Sequence, residues 1–336
     1  MILYADAACR IDLAGGTLDI APLYLLEDFG ITVNAAIDLN SYVRIAVRKD
    51  RRILLIAEDL DLVEEARTLD ELQPSGVMDL VVRTLKFYAP RTGLEITTRN
   101  SVPKGSGLGA SSSLLISLSA GLARLTGKTL SRERIIDIGA NIETQSIRIP
   151  TGKQDYYPAM YGGFHALWFG VEGTRRERLR LSRRFRQALQ ERLLLSFTGE
   201  SRFSGTSNWK MMKRYIEQSG DTVRQLRRIK ETAIQMREAL AGEKLDQVGV
   251  LLGQEWLNRK ELAQGVSNAR IDSLMAAARS GGALASKICG AGGGGCMITF
   301  VKPGRKEAVA RALQQAGATV LQYCFRESTV RVRVER

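Results

Sequence analysis

Histidine and cysteine are scarce in this sequence. Its 336 residues include a single histidine, His165, and four cysteines. One histidine excludes mechanisms that need two, such as the HExxH zinc site of metalloproteases. At least six residues separate any two cysteines, so there is no CxxC pair and a zinc cluster is not expected. Four cysteines in a chain of this length instead suggest a reducing, cytoplasmic location.

Long apolar runs are missing as well. No stretch approaches the roughly 18 continuous apolar residues of a membrane-spanning helix, so we expect no such span. The first residues lack a basic segment followed by an apolar core, and a signal peptide is not expected. There is neither a repeat of about 20–50 residues nor a low-complexity tract. The 44% hydrophobic and 25% charged content is that of an ordinary globular protein.

Acidic residues fall short of basic ones. The chain has 49 Lys and Arg against 36 Asp and Glu, a net charge of +13, which suits nucleic acid, a membrane surface or an anionic small molecule. Residues 175–192 hold eight arginines against two glutamates, a net charge of +6. Because nucleic-acid binding also calls for interleaved aromatic residues and this run has only Phe185, we interpret it mainly as solvated surface.

Length and pattern together predict an α+β protein of about two domains. Alternating, β-branched segments predict strands over residues 2–13, 31–47, 52–57 and 94–98. Apolar residues at helical spacing predict helices over residues 114–125, 132–147, 222–240, 245–261 and 271–279. Since strands cluster early, an α+β class is favoured over a regular βαβ array. The change in composition places the boundary between domains 1–175 and 176–336 at about residue 175.

A glycine-rich loop follows the strand predicted over residues 94–98. Its residues are Pro103, Lys104, Gly105, Ser106, Gly107, Leu108, Gly109, Ala110, Ser111, Ser112 and Ser113. Glycines allow close approach of a ligand, and the start of the next helix offers unpaired N–H groups and a positive dipole end. These features predict a phosphate-binding loop, and a plain capped helix is the alternative. The serine hydroxyls are expected to complete the cap or to reach Mg²⁺.

A second glycine cluster lies between Cys289 and Cys296. Five of its six residues are glycine, namely Gly290, Gly292, Gly293, Gly294 and Gly295. A plain turn or bulge, the alternative, needs only one or two, so the rest suggest that another backbone or a ligand comes very close. A third pair, Gly15 and Gly16, ends the first strand, on which Arg10 and Asp12 share a face.

Three carboxylates are candidates for chemistry. Glu143 lies on the apolar side of its predicted helix, where an unpaired charge is costly. A metal or another cation is the natural partner, and a salt bridge to Arg148 is the alternative. Asp155 and Asp19 follow glycine-containing segments; each suits a general base or a partner of a substrate hydroxyl, and each also suits an ordinary turn. We interpret His165 as a structural histidine.

In combination, three segments resemble the signature motifs of the GHMP kinases (galactokinase, homoserine kinase, mevalonate kinase and phosphomevalonate kinase). Residues 10–19 are similar to the first motif, residues 103–113 to the PxxxGLGxSS phosphate loop, and residues 287–296 to the GAGGGG motif. The motifs occur in the family's order and the resemblance spans nearly the whole chain.

Within this family the chain looks most like the D-glycero-D-manno-heptose 7-phosphate kinases and fucokinase-like sugar kinases. Four segments carry this resemblance: residues 152–155, 161–164, 197–199 and 265–268. Two departures lie at the sugar end. Leu18 follows Thr17 where those kinases read GGGTD, and Tyr156 stands where they usually have glutamine. Both concern the identity of the sugar rather than the phosphate site.

The resemblance implies a two-domain GHMP kinase fold. The N-terminal, ATP-binding domain would be like ribosomal protein S5 domain 2, the C-terminal domain would be ferredoxin-like, and the active site would lie between them. Asp155 would accept the proton of the acceptor hydroxyl, and Arg10 would neutralise charge on the transferred phosphoryl group. Ser111 and Glu143 would hold Mg²⁺. The implied ATP-binding residues run from Pro103 to Ser112, and the implied substrate-binding residues are Gly15, Gly16, Asp19, Gly292 and Gly293.

The function implied by this resemblance is an ATP- and Mg²⁺-dependent kinase of a sugar or sugar phosphate, acting at the anomeric hydroxyl. Its expected partners are the small-molecule substrate and no nucleic acid or membrane, and a monomer or homodimer is expected. An isoprenoid-pathway kinase or a decarboxylase acting on a mevalonate-type substrate is the alternative within the family. A basic polyanion-binding protein is the alternative from another class, and the arginine run motivates it.

Overall fold

In the described part of the chain, two β-sheets flanked by helices form the fold. The computed structural model describes residues 1–201 and 204–335. The strands are β1 Ile2–Ala14, β2 Gly30–Val47, β3 Ile53–Ala57, β4 Leu62–Ala66, β5 Leu94–Asn100, β6 Phe164–Gly170, β7 Gly173–Leu179, β8 Leu193–Phe197, β9 Ala283–Ile288, β10 Cys296–Val301, β11 Thr319–Leu321 and β12 Arg331–Glu335. This mixture of separate sheets and helices confirms the predicted α+β class.

The helices follow the predicted pattern where prediction was made. They are α1 Leu23–Leu26, α2 Asp79–Tyr88, α3 Ala110–Thr126, α4 Arg132–Ile147, α5 Tyr156–Tyr161, α6 Arg183–Arg192, α7 Ser204–Ile216, α8 Thr222–Ala241, α9 Leu245–Arg259, α10 Ala269–Gly281 and α11 Lys306–Gln315. Helix α4 has the predicted bounds because Ser131 caps it, accepting a bond from the Arg134 amide, and Arg148 ends it in a left-handed conformation, φ +55°.

The larger sheet has the strand order β12-β1-β2-β5-β3-β4, with β6 beside β2 and β7 beside β6. Strand β2 is long enough to pair with two other strands along one edge. Its residues 41–47 pair with β5 and its residues 30–35 pair with β6. Register shifts at Ala8/Cys9 and at Asp12/Ala14 bracket the part of β1 that carries Arg10. Such irregularities re-aim side chains within a sheet.

The smaller sheet, β11-β8-β10-β9, shares a core with the larger one. Ile11 and Val33 of the larger sheet lie in the same buried cluster as Ile298 and Phe300 of β10, together with Met236 of α8. On the other side of the larger sheet, α3 packs against β1 and β2, and α4 and α5 pack against α3. The two sheets therefore meet through apolar contacts at the level of β1.

The proposed domain boundary at residue 175 falls inside β7, which pairs with β6 in the larger sheet. The arginine run continues from there into α6. Its Arg175, Arg178, Arg180, Arg183 and Arg184 are exposed, as expected of solvated surface. Arg192 is an exception, because it is 9% exposed and its guanidinium lies over the Phe300 ring. For that residue the surface interpretation is wrong.

Candidate active site

The loop between β5 and α3 is shaped by three glycines with left-handed backbone. Gly105, Gly107 and Gly109 have φ values of +72°, +70° and +75°. Gly109 is the N-cap of α3, and among the described residues no side chain caps this end of the helix. Of the two roles expected of the serine hydroxyls, completion of the cap is therefore wrong, and a role toward Mg²⁺ stays a prediction. The first N–H groups of α3 keep the anion-binding character of an uncapped helix start.

The second glycine cluster packs backbone-to-backbone on this loop. The Cys296 amide donates to the Ser106 carbonyl at 2.7 Å. A side chain on Gly295 would come within 2.7 Å of the same carbonyl oxygen, and one on Gly107 within 2.5 Å of the Cys289 carbonyl oxygen. The prediction that extra glycines admit another backbone is thus confirmed at these positions.

Gly292 and Gly293 of the same cluster lie against a different loop. The Gly293 amide donates to the Val266 carbonyl at 2.7 Å, and a side chain on Gly292 would come within 2.6 Å of a Val266 methyl group. Gly15 and Gly16 lie at the end of β1, where a side chain on Gly16 would meet Asp12, Gln154 and Arg259. Their roles toward a substrate stay predictions.

Arg10 joins the glycine loop to Asp155. The side chain is 3% exposed. Its Nη2 lies 2.6 Å from Asp155 Oδ1, and its Nη1 donates to the Gly107 carbonyl at 2.6 Å. The Arg10 amide donates to the Leu108 carbonyl at 2.9 Å. Burial lowers the pKa of Arg10, but the charges of Asp155 and Asp12 raise it by more than burial lowers it. The pKa is therefore above its ordinary value and the guanidinium stays charged.

Asp155 faces the start of α3. It is the N-cap residue of α5, and a side chain on Gly109 would come within 3.0 Å of its Oδ2. Its side chain is 22% exposed, in contrast to that of Arg10. Burial raises the pKa of Asp155, and the charge of Arg10 opposes this without cancelling it. The carboxylate is thus held on one oxygen and open on the other, beside the helix start that suits a phosphate.

Glu143 is held by two hydroxyl groups. Ser111 Oγ donates to its Oε1 at 2.5 Å and Tyr156 Oη donates to its Oε2 at 2.6 Å. The Glu143 carboxylate is thus stabilised by these two hydroxyl groups and not by the alternative salt bridge to Arg148. Burial raises the pKa of Glu143, while the bonds from Ser111 and Tyr156 lower it. The sequence relates Tyr156 to the identity of the sugar alone, but its hydroxyl binds the carboxylate proposed for Mg²⁺. The sequence does not predict this contact, because it forms only when α5 packs against α4.

The Glu143 carboxylate and the Ser111 hydroxyl are hard oxygen donors of the kind that Mg²⁺ prefers. Across residues 1–201 and 204–335, no group of three or more His, Cys, Asp or Glu side chains could hold a metal ion. The two oxygens fit a Mg²⁺ ion that takes its other ligands from phosphates and water, which is the usual arrangement in nucleotide sites. They do not fit a metal held by protein ligands alone.

Asp19 is buried near Asp155 and feels its charge. It is 2% exposed, and its Oδ2 accepts from the Gln154 amide at 2.9 Å. A side chain at Gly152 would collide with the Asp19 carboxylate, since its Cβ would lie 1.8 Å from Asp19 Oδ2. Burial raises the pKa of Asp19 to about 6, and the bond from Gln154 opposes the shift. Since Gln154 directly precedes Asp155, one short segment places both carboxylates.

His165 and Lys153 have partners of their own. His165 is fully buried with Nε2 2.6 Å from the Gly162 carbonyl, and burial lowers its pKa to about 4, as suits a neutral structural histidine. Lys153 pairs with Asp137 at 2.6 Å. Among the helices of the described ranges, none has the length and apolarity to cross a membrane.

Comparison with known proteins places this arrangement in a family. The model of the GHMP kinase N-terminal domain matches residues 75–163, and that of the GHMP kinase C-terminal domain matches residues 236–319. The chain therefore belongs to the GHMP kinases. It is accordingly a phosphotransferase with a hydroxyl acceptor, and the family's phosphate donor is ATP.

Individual relatives cover almost the whole chain. It is 29% identical, over 96% of each chain, to a D-glycero-alpha-D-manno-heptose 7-phosphate kinase of Campylobacter jejuni. The crystal structure of a D-glycero-D-manno-heptose 1-phosphate kinase from Bacteroides thetaiotaomicron superposes with a TM-score of 0.82 at 25% identity, covering 99% of both chains. A mevalonate kinase of Pyrococcus furiosus is 26% identical over 85% of this chain and 87% of its own. Matches over such lengths confirm the two-domain GHMP kinase fold.

Replacing Gly295 with alanine tests the contact between the glycine loops. The new methyl group would press on the Ser106 carbonyl in a backbone with φ +87°, so we expect a loss of ~2–4 kcal/mol in the free energy of unfolding. Gly304→Ala is the matched control, because Gly304 has φ +68° and open space around it; it should lose only ~1 kcal/mol. Urea denaturation measures both. Equal losses would show that the loops do not constrain each other.

Proposed function

We propose that this enzyme uses ATP and Mg²⁺ to phosphorylate a sugar or sugar phosphate at its anomeric hydroxyl, with a heptose phosphate as the acceptor class. One observation carries the proposal: the Asp155 carboxylate lies beside the start of α3, and the residue before it, Gln154, binds the buried Asp19 through its amide. A base close to both a phosphate-binding loop and a buried polar group is what transfer to a polyhydroxylated acceptor requires. The Campylobacter and Bacteroides relatives are both named as kinases of a phosphorylated heptose, which supports this acceptor class.

In the proposed reaction, the acceptor oxygen attacks the γ-phosphorus of ATP and the bond to the β–γ bridging oxygen breaks, releasing ADP. Asp155 accepts the hydroxyl proton on Oδ2, the oxygen that faces the start of α3. Arg10 holds Oδ1 and keeps positive charge next to the transferred group, where charge redistributes during transfer. The uncapped N–H groups of α3 and the glycine loop from Pro103 to Gly109 orient the phosphates.

Ser111 and Glu143 are the proposed Mg²⁺ ligands, and the ion would neutralise charge on the β- and γ-phosphates. Tyr156 holds one oxygen of Glu143 and leaves the other beside Ser111. Asp19, with Gly15, Gly16, Gly292 and Gly293, is proposed to contact the acceptor. A cytoplasmic location, which suits four unpaired cysteines, and a monomer or homodimer complete the proposal.

A mevalonate-type acceptor is the second candidate, favoured by the similarity to the Pyrococcus furiosus kinase over 85% of the chain. A polyanion-binding role for the arginine run is less well supported. Arg178 and Arg186 pair with Glu327, and Arg175 lies over the Trp168 ring. Part of the run's charge is therefore engaged within the protein.

The acceptor is tested by an ATP-coupled screen of heptose 7-phosphate, fucose, galactose, glucuronate and mevalonate. We expect turnover of the heptose phosphate, with the new phosphate on the anomeric carbon by ³¹P NMR. Turnover confined to mevalonate would reject the sugar assignment and support the second candidate.

A filter-binding titration with DNA and RNA tests the polyanion-binding role of the arginine run. At ~100 mM salt we expect no retention of nucleic acid, and salt-sensitive binding would support that role instead.

Asp155→Asn tests the base. The amide cannot take up the proton, so kcat should fall by ~10²-fold or more. In the wild type, kcat should also fall on acidification, because the base acts only when ionised and burial places the pKa of Asp155 above its ordinary value. Asp246→Asn, at a 90% exposed carboxylate, should leave both unchanged. An Asp155→Asn enzyme with wild-type kcat would remove Asp155 from this role.

Glu143→Gln and Ser111→Ala test the metal ligands. Each removes one oxygen donor, so Mn²⁺ binding in the presence of ADP should weaken by ~10-fold or more by electron paramagnetic resonance, and the Mg²⁺ concentration needed for activity should rise. Glu133→Gln, at an exposed position of the same helix, is the control. Unchanged Mn²⁺ affinity in both ligand variants would place the ion elsewhere.

A further inference from the structure

Four charged side chains are completely buried beneath the turn that leads from β1 to Asp19. They are Asp12, Glu255, Arg259 and Lys287, each with no exposed surface. Two are acidic and two are basic, so the group is neutral as a whole. Phosphoryl transfer as described above uses none of them. They come from β1, α9 and β9, and so join segments more than two hundred residues apart in sequence.

The four side chains form a continuous chain of ion pairs. Lys287 Nζ donates to Asp12 Oδ1 at 2.9 Å and lies 3.6 Å from Glu255 Oε2. Arg259 Nε donates to Glu255 Oε1 at 2.8 Å, one turn away on α9. Burial raises the pKa of Asp12, but Lys287 and the neighbouring arginines lower it below its ordinary value, so this carboxylate is ionised.

The other N–H groups of Arg259 bind the turn at Gly16 and Thr17. Its Nη2 donates to the Gly16 carbonyl at 2.8 Å and its Nη1 donates to Thr17 Oγ1 at 3.3 Å. Thr17 has φ +79° and is 5% exposed. A β-branched residue rarely adopts this left-handed conformation, and it persists only where its surroundings hold it. The strained residue lies two positions before Asp19.

Replacing a buried group of ion pairs with apolar side chains of similar volume is often neutral or stabilising, so stability alone is a weak explanation for these charges. A guanidinium, by contrast, presents several donors in a rigid fork and can bind a carboxylate and two loop acceptors at once. Here the fork binds Glu255 on one side and the turn on the other.

We infer that Arg259, oriented by Glu255, Lys287 and Asp12, is a positioning residue for acceptor binding. It holds the strained turn at Thr17 so that Asp19 faces the acceptor. This inference rests on the acceptor-binding role proposed for Asp19. It adds that α9, which belongs to the second half of the chain, controls the affinity for the acceptor and not for ATP.

The test uses Arg259→Lys, because lysine keeps the charge beside Glu255 but cannot reach all of its acceptors. The KM for the acceptor should rise by ~10-fold, the effect of losing about one buried hydrogen bond, while the KM for ATP stays within about twofold of the wild-type value. Arg311→Lys, at a 68% exposed arginine, is the control and should change neither constant. Equal changes in both constants, or none, would overturn the inference.

A second variant separates positioning from general destabilisation. Thr17→Gly removes the strain, since glycine adopts positive φ freely. Added to Arg259→Lys, it should restore at least ~3-fold of the lost acceptor affinity. A purely structural role predicts no such rescue, and its absence would contradict the inference.

Hydrogen exchange keeps this test independent of the proposed function. In Arg259→Lys, the amides of residues 15–19 should exchange ~10-fold faster, and those of residues 105–109 at the wild-type rate. If the wild type phosphorylates no sugar, the proposed function fails, but faster exchange confined to residues 15–19 would still support the positioning of the turn. Unchanged exchange at residues 15–19 would overturn it whatever the substrate.

Discussion

The ion pair between Arg10 and Asp155 is the interaction on which the rest of the site depends. Arg10 stands on β1, where it pairs with Ala36 of β2, and it is almost completely buried. A buried guanidinium without a carboxylate would be very costly, so β1 and the start of α5 must come together for the chain to fold. The same guanidinium holds the Gly107 carbonyl. Folding of this region therefore also brings together the two groups proposed for catalysis.

The glycine loops extend this requirement to the second half of the chain. The Ser106 carbonyl accepts a bond from Cys296, which begins β10 of the smaller sheet. Any side chain at Gly295 or Gly107 would force the two backbones apart. The conformation of the loop proposed to bind phosphate is therefore set in part by the backbone of Gly295 and Cys296. The two glycine-rich segments look like separate motifs in the sequence, but in the structure their backbones pack directly against each other.

Sequence patterns foretold the local parts of this structure. Helix α4 could be bounded because its cap and its apolar spacing lie within it, and the glycine loops could be found because few other structures use so many glycines. The pairing of Glu143 with Tyr156 and the ion pairs of Arg259 could not, since each joins residues whose approach is decided by the packing of distant elements.

The arginine run shows the converse error. Composition alone treats its members alike, yet Arg192 is buried against Phe300 because it closes the last turn of α6 before β8 enters the smaller sheet. Leu179 and Phe185, which interrupt the run, are buried in the shared core. Charge density in a sequence therefore indicates a surface only on average, and the register of the helix decides each residue.

Residues 324–335 have a consequence for how the molecule comes into being. Ile2 pairs with Glu335, the Arg326 amide donates to the Ala36 carbonyl, and the Arg326 side chain binds Asn40. Protein synthesis adds residues in order, and nascent chains tend to fold domain by domain from the first residues onward. Here the sheet that carries Arg10 cannot be completed until residues 324–335 have left the ribosome. High contact order of this kind slows folding, and it delays completion of this sheet until residues 331–335 have been made.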